Sequence, residues 1–111
     1  MKTRPGFFYL ADCPEENKFF LRNGRTVQNM EELAMEFNSM DHETFTHHVN
    51  AEKNDFHAWI KDTIKDESLA ENIQLLKDKN EMHAEILKRI DNLKTYNRGE
   101  KTMAKKKKKK K

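Results

Sequence analysis

The sequence predicts a mainly α (α+β) fold: a bundle of four to five short helices packed on an N-terminal β-hairpin, with a disordered lysine-rich C-terminal tail. Three observations predict it. Between residues 30 and 93, apolar residues return at helical spacing in successive segments, each preceded by a capping residue. Ahead of them, Asn23-Gly24 separates two short apolar-bearing runs, a tight-turn signature. Behind them, the chain ends in a run of lysines. The expected division is an arm or linker over residues 1–18, one helical domain with its hairpin over residues 19–97, and a disordered tail over residues 98–111.

Composition sets the bounds. The chain has 111 residues, 35% apolar and 37% charged, whereas a globular domain is usually roughly 45–50% apolar. A foldable body of about 90 residues buries some 60–70% of its unfolded surface, which gives a modest margin of stability. Net charge is +3, from 22 basic and 19 acidic residues. Seven of the basic ones are the terminal lysines; without them 15 basic residues face 19 acidic, a body of −4. The chain reads as an acidic domain with a cationic tail. Cys13 is the only cysteine, which excludes an internal disulfide and a multi-cysteine zinc site. That usage suits a reducing compartment. No apolar run approaches the roughly 18 residues a membrane span needs, and Asp12, Glu15 and Glu16 cut the first apolar run too short for a signal peptide. A cytoplasmic protein is the expectation.

The elements follow in order. Phe7, Phe8, Tyr9 and Leu10 read as a short strand or an apolar arm over the core. Pro14 and Glu15-Glu16-Asn17 read as a loop. With Asn23-Gly24 as a two-residue type I′ loop, Arg22 faces Arg25, Leu21 faces Thr26 and Phe20 faces Val27. Phe20 and Val27 then share a face and point into the core. A lone hairpin is marginal in water, so this one must rest on helices. Asn29 caps the first long helix, with Glu31 and Glu32 in its positive first turn and Met30, Leu33, Ala34, Phe37 and Met40 as its stripe. Asp41 caps the next, whose buried side is marked by Phe45 and Val49 with His48 between them.

Asn54 or Asp55 starts the third bundle helix. Its stripe is Phe56, Trp59, Ile60, Thr63 and Ile64, with Lys61, Asp62 and Lys65 facing out. Asp66 or Ser68 caps a fourth, carrying Leu69, Ala70, Ile73 and Leu76. Asn80 caps a fifth, with Met82, Ile86, Leu87, Ile90 and Leu93 inward and His83, Glu85, Lys88, Arg89 and Asp91 mostly toward solvent. Tyr96 is the last residue expected to dock, and Asn97-Arg98-Gly99 stops the helix.

Residues 47–60 are the richest stretch, with three of the five histidines and the only tryptophan. His42-Glu43-Thr44-Phe45-Thr46-His47 misses the H-E-x-x-H zinc pattern by one residue. Histidines at i and i+4 share a helical face, and at i and i+5 they do not. His47 and His48 are adjacent, hence about 100° apart on a helix. The sharper reading of the stretch is a metal or acid/base site from His47, His48 and Asp55. The simpler reading makes it a corner between two helices. Asn50 ends one, Asn54 or Asp55 begins the next, His48 is bonded to backbone or to Asp55, and Phe56 and Trp59 clamp it from inside. No Gly-rich phosphate loop is present, Ser39 and Ser68 lack an elbow context, and Cys13 reads as exposed loop. No catalytic residue, cofactor or metal is expected.

At Phe20-Leu21-Arg22-Asn23-Gly24-Arg25, Asn29-Met30-Glu31-Glu32-Leu33, His47-His48-Val49-Asn50 and Asn54-Asp55-Phe56-His57-Ala58-Trp59-Ile60, the chain resembles a family of small uncharacterised prokaryotic domains, largely archaeal. Asp66 and Leu69-Ala70 match it too. The likeness runs over residues 19–93. Met30 stands where the family pattern has leucine, and Lys65 where it has glycine. The resemblance implies a fold and supplies no activity.

The functional expectation is a small non-enzymatic binding module. Its tail, Lys105, Lys106, Lys107, Lys108, Lys109, Lys110 and Lys111, would associate with nucleic acid or ribonucleoprotein without sequence preference, through counterion release. One alternative is a protein-partner adaptor using the corner at His47 and Asn50. Another is a metal-dependent enzyme at His47, His48 and Asp55. No membrane partner is expected, because no apolar anchor sits beside the lysines.

Overall fold

The computed structural model describes residues 6–97. The expected tail, with lysines 105–111, and the start of the arm lie outside them. Among the described residues there are six α-helices and one two-stranded antiparallel sheet: α1 (Gly6–Leu10), β1 (Phe19–Phe20), β2 (Thr26–Val27), α2 (Met30–Ser39), α3 (His42–His48), α4 (Asp55–Trp59), α5 (Glu67–Ile73) and α6 (Lys79–Asn97). A 3-10 turn, Glu15–Asn17, precedes β1, and a π-turn, Ile60–Ile64, prolongs α4. The fold is the mainly helical bundle on an N-terminal hairpin that the periodicity predicts, with α2 to α6 as the bundle.

Phe7 to Leu10 is a short helix, not a strand, and it lies over the core as the arm alternative has it. The short α1 lies against α6, Tyr9 and Leu10 pack partly buried on the core, and Tyr9 presents its ring to the Arg89 guanidinium at 5.6 Å. Cys13 is buried, where exposed loop was expected. Its backbone N–H donates to the Gln28 carbonyl at 2.7 Å, and the Gln28 side-chain amide donates back to the Cys13 carbonyl at 3.1 Å. The segment before β1 is thus stitched to the segment after β2.

The hairpin register differs from the expected one. Phe19 pairs with Val27 and Phe20 with Thr26. Leu21 N–H donates to the Arg25 carbonyl and Gly24 N–H to the Leu21 carbonyl, both at 2.9 Å. The loop is therefore three residues, Arg22-Asn23-Gly24, with Gly24 at φ +94° in the left-handed position that closes such loops. A slip of one residue exchanges faces. Phe19, Leu21 and Val27 go inward, and Phe20, expected inside, is 66% exposed. The longer loop wins because it buries three apolar side chains where the shorter would bury two, roughly 1.5–3 kcal/mol per side chain.

Side-chain caps set the helix boundaries. The side chains of Asn29, Asp41, Asn54 and Asp66 accept from Glu32, Thr44, His57 and Leu69 N–H respectively. At α6 the cap is Asp78, which accepts from Glu81 N–H at 2.9 Å; Asn80 was expected and lies inside the helix. Lys79 reaches back to the Met40 carbonyl, 2.6 Å away, beyond the end of α2. Along α6, Met82, Ile86, Ile90 and Leu93 are buried as expected, but Leu87 is 47% exposed. His83 and Arg89, expected toward solvent, are half-buried. The covered face is shifted from the expected one because α6 packs against α1, α2 and α5, which turns the flank near Arg89 to Asp66 and Tyr9. The side chain of Tyr96 lies outside the described residues.

The core centres on an aromatic stack. Phe19 stacks on Phe56 at 5.0 Å and meets Trp59 edge-on at 5.8 Å. Phe56 also touches Phe37 and Phe45. Phe56 sits at 0% exposure in the middle of this group, so α4 positions both the hairpin above it and the bundle below.

Candidate functional site

The turn between α3 and α4 carries the residues singled out from sequence, and the structure brings most of them together. Asn50 ends α3: its amide donates to the Thr46 and His47 carbonyls at 2.9 and 3.3 Å. The Asn50 side-chain Oδ1 accepts from Glu52 N–H, and the Asn50 backbone N–H donates to the Lys53 carbonyl. Asn54, not Asp55, begins α4. Its oxygen accepts from His57 N–H at 3.0 Å, while its amide nitrogen donates to the Ile73 and Gln74 carbonyls at the end of α5. One side chain thus caps the start of one helix and the end of another. His57 adds a second tie, its Nδ1 2.8 Å from the Ala70 carbonyl. Trp59 donates its indole N–H to the Asn17 carbonyl at 2.8 Å, fastening the 3-10 turn to α4.

His48 is buried, at 4% exposure. Its Nε2 accepts from the backbone N–H of Arg22 in the hairpin loop at 3.0 Å, and its Nδ1 lies 3.0 Å from Asp55 Oδ2. An Nε2 that accepts cannot carry a proton, so the proton is on Nδ1 and is donated to Asp55. The imidazole is therefore neutral, in the Nδ1–H tautomer. Burial pushes its pKa below the ordinary histidine value, against the opposing pull of Asp55. Burial works the other way on Asp55, but hydrogen bonds from Lys53 and His48 outweigh it and hold that carboxyl below the usual aspartate range. Lys53 Nζ stands 2.9 Å from the same Oδ2. Phe19 and Phe56 pack on the His48 ring, with centroids at 5.0 and 5.4 Å.

His47 points elsewhere. It is exposed, and its ring meets that of His48 edge-on, 4.8 Å between centroids. His48 in this arrangement offers no lone pair to a metal, since one nitrogen carries the proton and the other accepts from Arg22. Among the described residues, no group of three or more His, Cys, Asp or Glu side chains is placed to hold a metal ion. The two histidines and Asp55 are neighbours, with His48 buried and His47 exposed.

A second polar centre was missed from sequence. Asp66 is 1% exposed. It caps α5 and binds Arg89 of α6 through both oxygens, Nε to Oδ2 at 2.7 Å and Nη2 to Oδ1 at 3.0 Å. The available signal was weak: Arg89 adjoins Ile90 on the edge of the α6 stripe, and a cap has lone pairs to spare.

A recess of about 310 Å³ lies between the N-terminal segment and the π-turn, lined by Phe8, Ala11, Asp12, Cys13, Pro14, Thr63, Ile64 and Lys65. Burial pushes the Cys13 thiol up, the wrong direction for a nucleophile. Lys65 closes the π-turn at φ 69°, left-handed, its N–H donating to the Ile60 carbonyl at 2.7 Å. Glycine takes this conformation at least cost, so a lysine here holds it against its own side chain.

No helix among the described residues is long and apolar enough to cross a membrane. Compared with known proteins, the chain matches no family model, no curated protein and no solved structure.

Proposed function

We propose that this chain is a small non-enzymatic binding module whose C-terminal lysines attach it to nucleic acid or ribonucleoprotein. The observation that carries the reading is the division of charge: seven consecutive lysines follow a body of net charge −4. Contiguous lysines repel one another, stay extended and bind polyanions by releasing counterions, with no demand on base sequence. Support also comes from the corner, where the polar atoms of Asn50, Asn54 and His48 are engaged in holding helices together. A cytoplasmic location goes with this reading, since the lone Cys13 calls for no oxidising compartment.

The test is a mobility-shift titration of duplex DNA and single-stranded RNA with the full chain and with residues 98–111 removed, at two salt concentrations. The full chain is expected to bind with an affinity that falls steeply with salt, a log–log slope of up to about −6 on duplex DNA if every tail lysine meets a phosphate. The shortened chain is expected not to bind. Absence of binding by both forms would overturn the proposal. The adaptor reading keeps one specific support, the exposed ring of His47. It loses Asn50, whose amide is engaged in ending α3. A pull-down lost on His47→Ala, with the fold intact, would favour it.

A further inference from the structure

His48 joins three parts of the fold through one aromatic ring. Its Nε2 receives the Arg22 N–H from the hairpin loop, its Nδ1 faces Asp55 at the start of α4, and its backbone belongs to α3. The two contacts respond oppositely to a second proton. That proton can go only to Nε2, because Nδ1 already carries one. Nε2–H would then confront the Arg22 N–H, two donors 3.0 Å apart with no acceptor between them. On the other side, the hydrogen bond to the Asp55 carboxylate would gain a charged donor and become an ion pair, which is stronger.

We propose that His48 is an acid-sensitive latch: protonation of Nε2 expels the Arg22 N–H and frees the hairpin tip, while the Nδ1 contact to Asp55 keeps the α3–α4 corner closed. The groups around the ring set when this happens. Asp55 favours the charged imidazole; Lys53, which shares the Asp55 oxygen, and His47, on the adjacent position of α3, oppose it. On the hairpin side the nearby charges are Arg22 and its α3 partner Glu43, 3.5 Å apart. From β1 and α4 the packed faces are Phe19 and Phe56, which do not titrate. Burial of the ring outweighs the pull of Asp55, so the latch opens below the pH at which a solvated histidine charges. The displaced loop keeps two ion pairs, the exposed Arg22–Glu43 contact to α3 and the Arg25–Glu36 contact to α2 at 2.6 Å.

The test is residue-resolved amide exchange and chemical shift on the full chain, from about pH 7.5 down to about pH 4.5, spanning the histidine range. After correction for intrinsic rates, the Arg22 amide is expected to lose protection by tenfold or more in step with protonation of His48 Nε2, followed through imidazole nitrogen shifts. Leu69 and Ala58, inside α5 and α4, are expected to keep theirs. An Arg22 amide whose protection is unchanged after His48 has charged would overturn the latch, and so would simultaneous loss at Arg22, Ala58 and Leu69, which means global unfolding. His48→Gln gives a second arm. Its side-chain oxygen can accept from Arg22 and does not titrate, so the variant is expected to show no acid-dependent change at Arg22. A folded variant that still loosens over the same pH range would also overturn the proposal.

Discussion

Two of the buried polar side chains, Asp66 and His48, tie elements of this small bundle together by different chemistry. Asp66 ties α5 to α6 through a side chain bound by both oxygens to the Arg89 guanidinium and by one to the Leu69 N–H. His48 ties the hairpin to the α3–α4 corner as a neutral ring, one nitrogen donating and the other accepting. The difference teaches where this fold is fixed and where it can yield. A bidentate carboxylate–guanidinium pair is held in one geometry by two parallel bonds. A buried neutral imidazole keeps its state only above its own pKa.

The sharpest way to break the comparison is to remove one member of the charged lock. Asp66→Ala leaves Arg89 half-buried without its carboxylate and α5 without its cap, and is expected to cost about 3 kcal/mol, the low end of the range for breaking a buried pair, because Arg89 is 24% exposed. Urea unfolding at pH 7 measures it. A loss smaller than that of the histidine variant below would reverse the order of the two locks.

His48→Phe keeps an aromatic ring of similar size and removes both hydrogen bonds. It is expected to cost about 1–3 kcal/mol, chiefly the desolvated Arg22 N–H left without an acceptor. The variant also tests the pH dependence. His48 binds a proton less readily folded than unfolded. The stability from keeping it neutral is therefore fully present above the unfolded histidine pKa, near 6.5, and is lost as pH falls below that value toward the lower folded one. Asp55, lowered in the folded state, adds stability present above the unfolded aspartate pKa and lost as pH falls through its folded value, so the two losses are separated in pH. The His48→Phe chain is expected to lack the first decline and keep an acid limb at lower pH.

The smallest expected effect is a gain. Lys65 holds φ 69°. A left-handed L-residue costs about 1–2 kcal/mol, but glycine carries more freedom in the unfolded chain, so Lys65→Gly is expected to stabilise by about 0.5–1 kcal/mol. Thermal unfolding would check it, and a destabilised variant would mean that the Lys65 side chain, which donates to the Asp62 carbonyl at 3.2 Å, matters more than its backbone.

What was legible in the sequence follows the same division. The corner could be read because its chemistry is local. Asn50 bonds three and four residues back, Asn54 three residues on, and His48 and Asp55 are seven apart. Capping rules work at that range, and the helical stripe of Phe56, Trp59 and Ile60 orients the result. The hairpin face could not be read from its turn dipeptide. Phe19-Phe20-Leu21 is apolar at every position, so alternation does not choose a register, and Asn23-Gly24 is compatible with a loop of two residues or three. Only the packing of Phe19 on Phe56 and Trp59 decides it. The Asp66–Arg89 lock spans 23 residues, and no spacing rule connects a helix cap to an arginine that far along the chain. Cys13 was placed outside because Pro14 and two glutamates follow it, although its backbone joins Gln28 across the hairpin.

The account rests most heavily on the protonation state of His48. A long-range proton–nitrogen correlation of the imidazole side chains at pH 7.5 reads it directly. His48 is expected to show an unprotonated, hydrogen-bonded Nε2 and a protonated Nδ1. A His48 ring carrying its proton on Nε2, or doubly protonated at that pH, would contradict it.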